Sequence, residues 1–99
     1  MYALDLLILK ALSDGPLHGY AISRWIRDAS SDALTIEEGS LYPALHRLEQ
    51  NGSLKSEWKQ SETGRKAKFY RLTPAGKRAL GKETTAWRAF VEAVDKVIS

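Results

Sequence analysis

A mainly α fold with one small β-hairpin (α+β) is predicted for this 99-residue chain by three observations. Three stretches in the first half carry apolar residues at helical spacing; two short alternating runs flank a glycine-containing polar connector; and a long apolar-periodic stretch closes the chain. A chain of this length makes one domain with a modest core.

The first helix is read from "YALDLLILKAL". Leu4, Leu7, Ile8, Ala11 and Leu12 form one stripe, and Tyr2, Leu6 and Leu9 a second. A helix apolar on two sides is covered on both, and a domain this small has difficulty supplying both covers. "SDGPLHG" breaks the pattern with glycine and proline. A second helix follows through "YAISRWIRDA", with Ala21, Ile22, Trp25 and Ile26 together and Arg24, Arg27 and Asp28 outward. "SSDAL" reads as a loop, and Leu34-Thr35-Ile36 as a short strand.

The third helix, in "EEGSLYPALHRLEQNG", places Leu41, Ala44, Leu45 and Leu48 on one face and stops at Asn51-Gly52. Pro43 interrupts it, removing one backbone donor and pressing its ring on the carbonyl of Gly39. A helix tolerates this where the proline face need not pack inside the protein. "SLKSEWKQ" and "AKFYRLT" then read as strands around "SETGRK", with Leu54 and Trp58 on one face of the first and Tyr70 and Leu72 on one face of the second. Thr73-Pro74 is a good N-cap followed by proline at the first helical position. Three helices, a hairpin and a last helix are the layout of a winged helix-turn-helix domain, residues 1–73, with an added C-terminal helix, 74–99, in one structural unit.

Charge is segregated along the chain. Residues 1–54 carry a balance of −3, residues 55–82 hold nine basic and two acidic side chains, and residues 83–99 return to −1. A basic hairpin between acidic flanks points to a polyanionic partner, or to no more than a solvated hairpin. Cysteine is absent, which excludes disulfides, thiolate chemistry and cysteine-ligated zinc. The first residues lack the basic region of a signal peptide and no apolar run has membrane-spanning length, so a cytoplasmic protein is expected. His18 and His46 stand on separate helices without cysteine companions, which gives no metal site. No nucleophile, histidine and carboxylate have recognisable spacing and there is no glycine-rich phosphate loop, so an enzyme is rejected and no cofactor is expected.

In a helix-turn-helix the N-terminal part of the second motif helix enters the major groove. Here that part offers Gly39 and Ser40, small enough for close approach, and Pro43, a compact apolar surface suited to a thymine methyl. Tyr42 lies at the edge of this face, and Arg47 is read as a phosphate clamp or as an ion pair with Glu49 or Asp32. The segments "LLILKAL…GPLHGYAI", "EEGSLYPALHRLEQNG" and "GRKAKFYRLTPAGK" together resemble the PadR-like transcriptional regulators, in order and spacing, from about Leu6 to Lys77. Glu37 stands where that family usually offers serine or asparagine as the cap of the recognition helix. The resemblance implies a dimeric winged helix-turn-helix repressor of double-stranded DNA, responsive to a small molecule or stress. It also implies a phosphate contact for Tyr20, against a packing role, and a wing formed by Arg65, Lys66 and Lys68 around the hairpin tip.

Leu80, Thr84, Trp87, Val91, Val94 and Ile98 form a two-position heptad seam in the last helix. With Leu6 and Leu9 it is expected to build a homodimer, which would read a near-palindromic operator. Two readings stand at Trp87: plain interface core, or a slot that stacks a planar aromatic small molecule. The alternative from another class is a winged-helix protein-interaction module without specific DNA binding.

Overall fold

The computed structural model describes residues 3–99, so Tyr2 of the second stripe lies outside the described residues. Its elements run α1 (Ala3–Ala11), β1 (Leu17–His18), α2 (Gly19–Ala29), α3 (Glu38–Gln50), β2 (Leu54–Gln60), β3 (Lys66–Leu72) and α4 (Pro74–Ile98). This is the winged helix-turn-helix arrangement with a long fourth helix. Where a two-stranded hairpin was expected, the sheet has three antiparallel strands in the order β1-β3-β2. Leu17 pairs with Tyr70 and His18 with Phe69, so the supposed punctuation before α2 supplies the third strand. Leu34 to Ile36 forms no strand; Ile36 packs on the core as part of an irregular segment.

The core joins Leu4, Ile8, Leu9 and Leu12 of the first helical turn region to Ile22 and Ile26 of α2, Leu41, Leu45 and Leu48 of α3, and Leu54, Tyr70 and Leu72 of the sheet. α4 packs across α1. Leu9 is only 1% exposed within this one chain, and the expectation that it faces a partner chain is corrected: the cover the second stripe needs at Leu9 comes from the chain's own core. Leu6 keeps part of its surface. The first turns of α4 pack through Ala79 and Leu80, and the molecule is 51 Å long because the helix then continues past the body.

Two helix ends set the geometry of the sheet. α3 stops at Gly52, whose φ of +86° is costly for residues with a side chain; the Gly52 amide donates to the Glu49 carbonyl at 3.1 Å and the Ser53 amide to the Leu48 carbonyl at 2.9 Å. α4 starts at Thr73, whose Oγ1 accepts from the Gly76 amide at 3.0 Å. Gly76 is required for a different reason. A Cβ there would lie 2.1 Å from the Ser53 carbonyl oxygen, which is backbone and cannot swing away. Gly76→Ala should therefore lower the unfolding free energy by about 1–3 kcal/mol, the usual cost of overpacking, read as an earlier midpoint in urea with far-UV circular dichroism.

Candidate nucleic-acid interface

α3 has Glu37 at its N-cap, with extended backbone and no side-chain cap bond. Its first amides are thus left without a capping side chain, the situation in which a helix end attracts an anion. Pro43 lies inside the helix, and Gly39, Ser40, Tyr42 and Pro43 are all on its exposed side. A Cβ at position 39 would meet nothing within 4 Å beyond its own helix, and Gly39, whose carbonyl Pro43 deprives of a donor, is exposed. The cost of the proline falls where the helix is not packed.

Tyr42 is held in place by α2. A Cβ at Gly19 would come within 2.7 Å of the Tyr42 hydroxyl, so the absent side chain at the first residue of α2 makes room for the ring. The preceding residue, His18, caps α2: its Nδ1 accepts from the Ala21 amide at 3.1 Å. Its imidazole meets the Phe69 ring edge-on at 5.3 Å and stacks with Tyr20 at 6.5 Å. His18 thus ties β3, α2 and Tyr20 together, a role no local pattern announced because histidine is not among the favoured caps. Tyr20 is well exposed, with the Arg24 guanidinium 5.8 Å from its ring centroid, which sets aside the packing role for it.

Tyr20, Arg24 and Tyr42 line one open groove with Trp58, Arg65, Lys66 and Lys68 of the hairpin. The tip, residues 61–65, closes through the Ser61 amide on the Arg65 carbonyl at 2.7 Å, with Gly64 at φ +83°. Arg65 and Lys66 are exposed there. Lys68 was expected at the tip, but the strand register carries it back towards the body: its Nζ lies 3.6 Å from Glu49 and over the Tyr70 ring at 5.8 Å. Glu49 also accepts from the Ser56 hydroxyl at 2.5 Å, so this carboxylate anchors both strands to α3.

Arg47 makes its ion pair with Asp5 of α1, not with Glu49 or Asp32, because α3 crosses α1 at that turn. It lies outside the groove, as do Ser40 and Pro43, which continue the exposed face of α3 beyond it. Trp58 shares a face with buried Leu54, as the alternation requires, yet it is 67% exposed. Sequence periodicity gives the face of a strand and not the distance the core extends along it.

The Tyr70 phenol is held above its ordinary value of 10.0 first by burial, then by the charge of Glu49 and the neighbouring phenol of Tyr42. Folding therefore favours the neutral phenol. The associated stabilisation is complete below the unfolded value near 10 and is lost as pH rises through the higher folded one. Wild-type stability should fall more steeply above about pH 10 than that of Tyr70→Phe in urea unfolding, and the two should run parallel below it.

Comparison with known proteins places this geometry. Residues 8–82 match the transcriptional regulator PadR-like family. Transcriptional regulator Rv3488 of Mycobacterium tuberculosis is 39% identical over 85 residues, spanning 85% of this chain and 75% of that protein. The structure of a transcriptional regulator from Clostridium thermocellum superposes with a TM-score of 0.87 at 34% identity, over 96% of this chain and 92% of that one. Bacillus subtilis PadR, solved in complex with operator DNA, superposes with a TM-score of 0.74 at 26% identity, over 84% of this chain and 47% of its own. The chain belongs to the PadR-like family of transcriptional regulators.

Proposed function

We propose that this protein is a cytoplasmic homodimeric repressor that binds a near-palindromic operator and is released by a small molecule or stress signal. One observation carries the DNA-binding reading: tyrosines from α2 and α3 and the exposed cations of the hairpin tip converge on a single groove beside the proline-bearing face of α3. The operator complex of the Bacillus subtilis relative supports it. No helix among the described residues is long and apolar enough to cross a membrane.

In this reading Ser40, Tyr42 and Pro43 meet base edges in the major groove, and Tyr20 donates its hydroxyl to a phosphate. Arg65 and Lys66 follow the backbone or minor groove as a wing. Lys68 contributes less, since Glu49 already neutralises part of its charge. Arg47 reaches a phosphate only by sharing itself with Asp5. Two recognition helices related by a two-fold axis read half-sites roughly 10 base pairs apart, centre to centre. Residues 1–73 then form the DNA-binding module and 74–99 the dimerisation helix. Replacing Arg65 and Lys66 by alanine should weaken binding to all duplexes alike and reduce the salt slope by about 1 per lost phosphate contact. A changed sequence preference at constant slope, in a fluorescence-anisotropy titration, would contradict a backbone role.

The dimer reading is supported by the outer half of α4. Phe90 and Val97 are 59% and 84% exposed, and Trp87, Val91, Val94 and Ile98 also keep apolar surface. With Leu6 and Leu80 at its margin, such a stripe suits an obligate interface, which buries on the order of 2,000 Å² or more. The Trp87 and Phe90 rings lie 6.0 Å apart and tilted by 39°, an open aromatic surface able to stack a planar aromatic molecule where two copies meet. Sedimentation at micromolar concentration should give a dimer for the wild type and a monomer for Val94→Asp. Planar aromatic cations should quench tryptophan emission and loosen the DNA complex in the wild type but not in Trp87→Phe. Quenching that survives that substitution leaves Trp87 as interface core.

A further inference from the structure

Trp58 is a large apolar side chain that the core does not use. It follows Leu54 and Ser56 on the core-facing side of β2, yet leaves 67% of its surface in water because the hairpin runs past the last core residue. Its neighbour across the sheet is Lys68. Among the described residues no ring pair or cation–π contact holds the indole. A scattered exposed apolar residue needs no explanation. Trp58 differs in its setting, on the inner wall of a groove whose other walls carry Tyr20, Arg24, Lys66 and Tyr42.

An occupant that suits this wall is anionic along one edge and apolar along another. A nucleic-acid strand has both, since its phosphates alternate with deoxyriboses whose C–H faces are apolar. Charge is not the whole of the attraction here, because Asp28 and Glu62 line the same groove and offset part of the charge of Arg24, Arg65, Lys66 and Lys68. We infer that Trp58 is a duplex-contact residue whose indole packs against the sugars of the strand lying between α3 and the wing. Its contribution is apolar and independent of salt, unlike that of Arg65 and Lys66. The inference rests on the DNA-binding reading above and adds to it a residue of different chemistry.

The test uses the full chain and a fluorescent duplex of about 30 base pairs, three helical turns, selected for wild-type binding from a random pool. Across a sodium chloride series, Trp58→Ala should weaken binding by about tenfold, within the range of aromatic contacts to nucleic acid, on a line parallel to that of the wild type. Trp58→Phe should fall between the two. Duplex binding should alter tryptophan emission more in the wild type than in Trp58→Phe, where only Trp25, which lines the same groove, and Trp87 report. Wild-type affinity in Trp58→Ala, a changed salt slope, or an emission change of undiminished size in Trp58→Phe would overturn the inference. Melting curves check the fold; if Trp58→Ala is unstable, the emission of Trp58→Phe decides. Duplex binding that depends on Arg65 but not on Trp58 sinks this inference alone, whereas a wild type that selects no duplex sinks the DNA-binding reading with it.

Discussion

The hydroxyl of Thr73 holds three elements in one place. It donates to the Gly52 carbonyl at 2.6 Å, shares that proton with the Ser53 carbonyl at 3.1 Å, and accepts from the Gly76 amide. The Thr73 amide adds a bond of 3.1 Å to the same Ser53 carbonyl. Ser53 in turn is fixed by Leu48 and by the Asn51 side chain, so the end of α3, the base of the hairpin and the start of α4 share one buried junction. A buried hydroxyl that satisfies both its donor and its acceptor capacity is stabilising, but leaving its partners unmet costs about 1–3 kcal/mol each. The angle between recognition helix, wing and last helix is therefore set by a few atoms that permit little play.

Outward from that junction, burial declines in the order that binding requires. Leu54 and Leu72 are buried at the base of the hairpin, and Ser56 and Tyr70 lie against Glu49 one step further on. Beyond them Trp58, Lys66 and Arg65 are exposed to solvent. The strands keep one register from Leu54–Leu72 to Gln60–Lys66, so side chains that begin in the core emerge as the wall of a groove without any change of backbone geometry. A firmly anchored base and an exposed tip are what a surface reading a semi-rigid polymer needs.

Most of the fold was legible because its signals are local. The leucine spacing of α3, the Asn51-Gly52 stop and the Thr73-Pro74 start each act within one or two turns, and the structure has all three. β1 was not legible, since two residues carry no periodicity and exist as a strand only because Tyr70 and Phe69 are beside them. Leu34 to Ile36 had the composition of a strand but pairs with none, Ile36 being packed on the core instead. Asp5, which pairs with Arg47, lies 42 residues away on α1, and the burial of Leu9 depends on distant elements of the same core, so neither is a property of any window of sequence. At the candidate site, residue types were readable and their company was not: Lys68 belongs with Glu49, and Trp58 belongs with the groove.

Besides the Thr73 junction, α1 also joins the two halves of the protein. It touches α4 on one side and α3 on another, and the Asp5–Arg47 ion pair joins it directly to the recognition helix. That pair is the visible link but not the strong one. Both side chains keep solvent contact, and exposed ion pairs contribute roughly 0–1 kcal/mol. Leu4, Ile8 and Leu9 are packed with Leu41, Leu45 and Leu48 in the same core, where each buried leucine or isoleucine contributes about 1.5–3 kcal/mol. A close-packed contact of this kind transmits displacement because it has no slack to absorb it. If the proposed dimer forms on α4, a ligand that altered the crossing of the two long helices would move α3 through α1 by packing rather than through the ion pair. The shift needs no new contact at the DNA surface. It needs only that the ligand prefer a helix separation that fits the operator less well.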